Sequence, residues 1–284
     1  MNDNLNSSSQ FTHVNLPVID KPVFRMGLAG NYGIDSDAIR WAADQEVNYW
    51  LWGTGFKKVT DGIRQVIQRD RDKHIVAMLG WGFFGWQIRK SVEKALRKLN
   101  TDYLDSFKLG WLGKTSAYTN STVDALLQLK EEGKIKSIGI SIHDRKRAGE
   151  MALDSEIDLF MIRYNAKHPG AEQDIFPYLE KRNPAIVSYT AVAWGQLIKP
   201  LKKAAMPPWP GQDKIQVPPL TPELCYRFVV SNPHVHVVLT GPKTLAQLKQ
   251  NLEIMQKGPL PPDELEWVRE YGQLVRSQKR MDYV

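Results

Sequence analysis

A single cysteine, Cys225, stands in 284 residues, so no intrachain disulfide can staple this chain, and a reducing cytoplasm suits it. Cys225 lies in the apolar run LCYRFVV and reads as a core thiol. No apolar run is long enough to span a bilayer, and no secretory signal opens the sequence, so no membrane partner is expected. The histidines show no metal-ligand spacing, and no metal site is expected. No nucleic-acid-binding motif accompanies the net charge of +7. The basic residues are mixed with acids, as in LKEEGKIK, which describes solvated helix faces and argues against nucleic acid. A modest basic bias also suits a phosphorylated ligand. The dinucleotide fingerprint GxGxxG is missing as well, because GLAGNYG breaks it at the last two glycines. One further absence is local: YWLWGTGF, residues 49–56, carries four aromatics and not one acid or base.

What is present is ordinary for a globular protein, with 42% apolar and 24% charged residues. The opening MNDNLNSSSQ is polar and lacks a core pattern, so residues 1–20 are expected to fray and residues 21–284 to fold. Short apolar runs then alternate with amphipathic stretches. Strands are predicted at 24–29, 47–51, 74–78, 103–109, 135–141, 157–162, 185–189 and 235–240. Helical patterns lie between them. IRKSVEKALRKL places Ile88, Val92, Ala95 and Leu96 on one face. TVDALLQLKEEGK is capped by Ser121 or Thr122 and stops at Gly133. Eight strand–helix units without a composition break read as one α/β domain, a (β/α)₈ TIM barrel, with a doubly wound sheet as its rival. The proline-rich stretch around residues 199–220 would then be a loop over the C-terminal face, where barrels bind ligands.

Five fragments, TDYLDSFKLGW, GKIKSIGIS, IRYNAKHPGAEQDIFPYL, YTAVAWGQL and VVLTGPKTLAQLKQNLE, occur in the order and at the spacing of the aldo/keto reductase superfamily. The chain resembles that superfamily over roughly residues 24–256. The resemblance implies a TIM barrel that binds NADP(H) across its C-terminal mouth and reduces carbonyls. Its chemistry rests on an Asp, a Tyr, a Lys and a His, the Tyr giving a proton to the carbonyl oxygen. Register sets Leu51, Phe56, Met78 and Gly110 at these four positions, so YWLWGTGF is the family's acid-bearing turn without its acid–base groups.

The cofactor half is better preserved. Gly241 lets backbone approach an anion beside Lys243 and the amides of a helix expected to start near Thr244, with a solvated charge as the other reading of Lys243, and Gln247 and Asn251 match the family's adenosine contacts. Lys243 opposes the helix dipole unless an anion joins it. Plain surface amides are an equal reading of Gln247 and Asn251. Tyr189 matches the ring that stacks under nicotinamide, with an ordinary strand-end core aromatic as an equal reading, and Ser141 matches the residue that holds its carboxamide, while the usual Gln falls at Met161. Trp52, Phe56, Trp81, Phe83, Phe84, Trp86 and Trp111 are expected at the mouth, as a plug or as a pocket for a planar or apolar ligand. Thr54, Lys108, Arg163, Asn165 and His168 are its candidate polar handles, with Lys108 expected to point outward. Two functions stay open: an atypical NADP(H) oxidoreductase, or a catalytically inactive binding protein that serves as a sensor or protein partner.

Overall fold

Parallel strands buried on both faces need a helix over each crossover, and the alternation of patterns in this chain delivers that arrangement. A computed structural model describes residues 11–201, 208–211 and 219–278. The strands run β1 (His13–Leu16), β2 (Lys21–Phe24), β3 (Met26–Ala29), β4 (Tyr49–Trp52), β5 (Ile75–Gly80), β6 (Leu104–Leu109), β7 (Ile135–Ile142), β8 (Leu159–Arg163), β9 (Ala185–Tyr189) and β10 (Val237–Thr240). The helices are α1 (Ser36–Asp44), α2 (Lys57–Arg69), α3 (Gly85–Leu99), α4 (Asn120–Glu131), α5 (Arg145–Leu153), α6 (Ala171–Asp174), α7 (Pro222–Ser231), α8 (Leu245–Ile254) and α9 (Pro262–Gln278).

Strands β3 to β10 close a barrel in sequential order, each parallel to its neighbours, with β10 returning to β3. This is the (β/α)₈ barrel read from the sequence, and its strands fall within a few residues of the expected bounds. Helix α4 starts earlier than expected, at Asn120 after the cap residue Thr119. Thr122 is instead the third helical residue, its hydroxyl accepting the Thr119 N–H at 3.0 Å. Gly133, at φ 71°, ends the turn as expected. The expected loop over residues 199–220 lies largely outside the described residues.

The frayed segment expected over residues 1–20 is corrected for 11–20; residues 1–10 lie outside the described residues. Strands β1 and β2 form an antiparallel hairpin, and its Leu16 and Val23 join the barrel's inner cluster. An open barrel end would leave Ile75, Leu159 and Val237 wet, and the hairpin covers that apolar surface. Lys21 ties it down by pairing with buried Asp105 at 3.0 Å, which Arg71 holds from the other side at 2.8 Å.

Strand alternation sorts every side chain of YWLW. Tyr49 and Leu51 face the barrel axis with Ala77, Met161 and Val187. Trp50 and Trp52 face the helices with Met26, Val76 and Met78. Two glycines make room inside. A Cβ on Gly27 would meet the Tyr49 ring at 2.7 Å, and one on Gly139 would meet the Lys108 stem at 2.5 Å.

Candidate functional site at the barrel mouth

The inner face of three neighbouring strands delivers three polar side chains to the C-terminal end. On β7 the isoleucines 138, 140 and 142 face outward, which turns Ser141 inward by alternation. Leu159 and Met161 face the axis on β8, so Arg163 does too, opposite Tyr189 of β9 in register. Just beyond β7, the Nε2 of His143 lies 3.0 Å from the Tyr189 hydroxyl. The imidazole also packs against Trp111, ring centroids 5.4 Å apart. Its Nδ1 is buried and has no partner among the described residues.

Burial lowers the His143 pKa, and the Arg163 charge lowers it further, so the ring is neutral at pH 7. Burial pushes the Tyr189 phenol up to about 12, against the pull of Arg163. With the phenol donating into Nε2, Nδ1 carries an N–H that meets no acceptor. His143, Trp111, Arg163 and His168 line a cavity of about 710 Å³ at this end of the barrel.

The backbone at the mouth is strained. Trp111, Thr190, Ala193 and Trp194 all hold positive φ, 43°, 59°, 47° and 56°, a conformation that costs a β-branched or bulky residue about 1 kcal/mol or more. Asn165 explains how one of them is held. Its Nδ2 donates to the Thr190 carbonyl at 2.8 Å, and its Oδ1 accepts the His168 N–H at 3.0 Å. Asn165 was read as a handle for ligand, but both ends of its buried amide are spent on the loops. It fixes the turn directly after Tyr189.

The four positions that the resemblance matches to acid–base residues carry none in space either. Leu51 is in the apolar barrel interior. Phe56 caps α2 and packs on the outer core. Met78 faces the helices, and the inward position at this strand end belongs to its neighbour Leu79, a shift of one residue from the sequence register. Gly110 has no room for a side chain, because a Cβ there would lie 2.8 Å from the Trp81 indole nitrogen.

The expected aromatic mouth is only partly assembled. Trp52 is corrected: alternation turns it outward, fully buried beneath α2, with its indole N–H donating to Thr60 at 3.1 Å. Trp81, Phe83 and Phe84 on the loop after β5, Trp86 in the first turn of α3, and Trp111 on the loop after β6 are exposed. Lys108 is corrected too. It points inward, wholly buried, and its Nζ donates to the Tyr49 hydroxyl at 3.0 Å. Burial brings its pKa down to about 7 and raises that of Tyr49.

At the α8 start, the chain caps itself. Thr244 accepts the Gln247 N–H at 3.2 Å, and the Gln247 side chain accepts the Lys243 N–H at 2.9 Å. Asn251 donates to Thr240 at 2.8 Å, which in turn meets Tyr226. The ring of Tyr32, on the loop after β3, covers Gly241 so closely that a Cβ there would lie 2.4 Å from it. The groups left over are the exposed Lys243 ammonium, which has no ion pair among the described residues, and the first amides of α8. They can take an anion once Tyr32, itself 41% exposed, swings aside. The residues present therefore fit a phosphate-bearing cofactor.

Sequence reading missed His143 and Tyr32. His143 follows a strand whose motif drew attention to Ser141 alone, and its partner lies 46 residues away. Only the parity of β7 and β9 could have hinted at the pair. The position of Tyr32 in GLAGNYG, next to a glycine turn, was its only signal.

Comparison with known proteins adds resemblances to this geometry. The aldo/keto reductase family model matches residues 71–208. L-galactose dehydrogenase of Arabidopsis thaliana is 24% identical over 227 residues, 70% of this chain and 69% of that protein. Methylglyoxal reductase YeaE of Escherichia coli is 29% identical over 130 residues, 44% of this chain and 45% of the relative, so less than half of that protein is matched. The holo form of aldo-keto reductase AKR11C1 from Bacillus halodurans superposes with a TM-score of 0.74 at 20% identity, covering 92% of this chain and 96% of that one. An aldo/keto reductase from Klebsiella pneumoniae in complex with NADP and acetate gives 0.71 at 18% identity, covering 92% and 95%. At such identities the superpositions speak for the fold, and the family match spans just under half of the chain. The chain is similar to the aldo/keto reductase family over residues 71–208 and shares its barrel fold with solved structures of that family.

Proposed function

We propose that this chain is an NADP(H)-binding oxidoreductase whose proton relay is the Tyr189–His143 pair, with the standard Asp-Tyr-Lys-His set replaced at Leu51, Phe56, Met78 or Leu79, and Gly110. The observation that carries the reading is the 3.0 Å contact between the Tyr189 hydroxyl and His143 Nε2, where His143 lines the mouth cavity. The bound nicotinamide would supply hydride to a carbonyl carbon. Lys243, Thr244 and Gly241 would hold its phosphates, Tyr189 and Ser141 its ring end, and Gln247 and Asn251 would contribute only by leaving their present partners. The Tyr189–His143 pair holds a transferable proton at the mouth. A phenol near pKa 12 is a weak acid for such work, so slow turnover is expected. Arg163, Trp111 and His168 would orient the substrate, with Trp111 and Trp81 offering a surface to a flat or apolar portion of it. A lone buried cysteine suits a cytoplasmic setting.

A second reading, a binding protein without turnover, draws on the Tyr32 ring over Gly241 and the internal caps of Thr244 and Gln247. In that reading the exposed aromatics would meet a partner protein. Titration with NADPH followed by tryptophan quenching tests the cofactor. Saturation is expected, with Lys243→Ala weakening it by about tenfold, the scale of one charge-assisted contact. No saturable response at millimolar NADPH rejects both readings of the cofactor site. Oxidation of bound NADPH by candidate carbonyls, abolished by His143→Ala, separates the enzyme from the binder.

A further inference from the structure

We propose that the mouth cavity is a binding site for the anionic head, carboxylate or phosphate, of a small acidic molecule. The proposal rests on the reading that this mouth takes a small-molecule ligand, and it names that ligand's chemistry.

The cavity of about 710 Å³ is lined by six basic side chains, Lys114, Arg145, Lys146, Arg147, Arg163 and Arg276, against two carboxylates, Asp144 and Asp174. Both carboxylates are already engaged. Asp144 caps α5 by accepting the Arg147 N–H at 3.1 Å, and Asp174 pairs with Arg145 at 2.7 Å. The other five cations have no ion pair among the described residues. Like charges gathered in a concavity repel, and low-dielectric walls strengthen the field. An anion relieves that repulsion and gains charge-assisted hydrogen bonds.

Arg163 makes the placement specific. It is the last residue of β8, half-buried on the barrel's inner face rather than free on a loop. No carboxylate answers it among the described residues, yet its charge is felt by both His143 and Tyr189. Beside it stands the buried, unpartnered Nδ1 of His143, a second group that lacks what a ligand oxygen would supply. The two form a floor, and Lys114, Lys146, Arg147 and Arg276 form an exposed rim above it. A rim of this kind steers anions inward, and a guanidinium floor fixes a carboxylate or phosphate bidentately. A concavity of this size favours a small molecule over a polymer.

Calorimetric titration of the full chain with citrate, inorganic phosphate and neutral glycerol tests the proposal. Citrate and phosphate should bind saturably, more weakly as salt rises, and glycerol should not. Arg163→Ala should weaken citrate about tenfold, Arg163→Lys should recover part of the loss, and NADPH quenching through Lys243 should persist. Arg89→Ala, in an arginine that pairs with Glu132 outside the cavity, should change nothing. Thermal melting of each variant shows whether the fold is intact. Absence of saturable citrate and phosphate binding by a folded protein that still binds NADPH overturns the anion site alone. Absence of every ligand, NADPH included, rejects the broader reading as well. Equal loss on removing any of the six cations, together with tighter binding to duplex DNA than to citrate, also overturns it, since the patch would then serve a polymer.

Discussion

Two imidazoles outside the mouth show how single residues set the molecule's response to acid. His74 accepts the Trp50 indole N–H at its Nδ1, 3.3 Å away, and His236 accepts the Ile186 amide at 3.1 Å. Each needs an unprotonated Nδ1, so each must stay neutral. Burial lowers both pKa values to about 4. Their unfolded value is near 6.5, so the unfolded chain binds these protons first as pH falls. The folded state therefore holds its full advantage above about pH 6.5 and loses it progressively down to about pH 4. His74 alone should withdraw about 2 kcal/mol of stability between pH 7 and pH 5. Urea denaturation at the two pH values checks this, and His74→Gln should flatten the dependence. An unchanged slope in that variant would show that the imidazole titrates freely in the fold.

The β1–β2 hairpin makes the same case for an element. Its purchase on the barrel comes from Leu16 and Val23 in the inner cluster and from Lys21 on Asp105. Asp105 also accepts the Val76 amide at 2.8 Å and pairs with Arg71, so one buried carboxylate joins β2, β5 and β6. Asp105→Asn removes the charge that answers two partly buried cations, and a loss of about 3 kcal/mol is expected. Hydrogen exchange should show the hairpin opening first, and equal protection in the variant would count against this role for Asp105. The hairpin is also where sequence reading stopped short. Residues 13–16 are only four long and alternate weakly, and their value comes from a barrel end visible only once the barrel is closed. The eight barrel strands were legible because apolar runs bounded by helical patterns carry their own signal. At the site, Tyr189 and Ser141 are read from the resemblance and Arg163 as a handle at the mouth, and the strands bring these three to one face of the barrel, whereas Trp52, Lys108 and Met78 are misplaced by parity. A one-residue slip in a strand exchanges inside for outside, and the sequence of a strand buried on both faces carries no polar alternation to fix it.

For the whole molecule, the four positions that the resemblance matches to acid–base groups hold Leu51, Phe56, Met78 and Gly110 in a closed barrel. Reintroducing the set should fail for a steric reason. Gly110→His drives a side chain into the Trp81 indole and the Gly80 carbonyl, 2.8 and 3.0 Å from the added Cβ. Leu51→Asp places a carboxylate in the apolar interior, far costlier than the loss of a methylene. The fourfold variant is expected to melt well below the parent and to reduce a generic aldehyde at background rate. Restored turnover with a parental melting temperature would overturn this. The distribution of tryptophans has a consequence of its own. Trp50, Trp52 and Trp267 are buried and Trp41 and Trp209 partly buried, while Trp81, Trp86, Trp111 and Trp194 stand in solvent at the C-terminal face. The protein thus carries a blue-emitting buried set that brightens or dims with the integrity of the core, and a red-emitting group open to dissolved quenchers. A collisional quencher such as iodide acts first on the red-emitting group, so quenching of the red edge of the spectrum follows events at the mouth and the blue edge follows events in the scaffold.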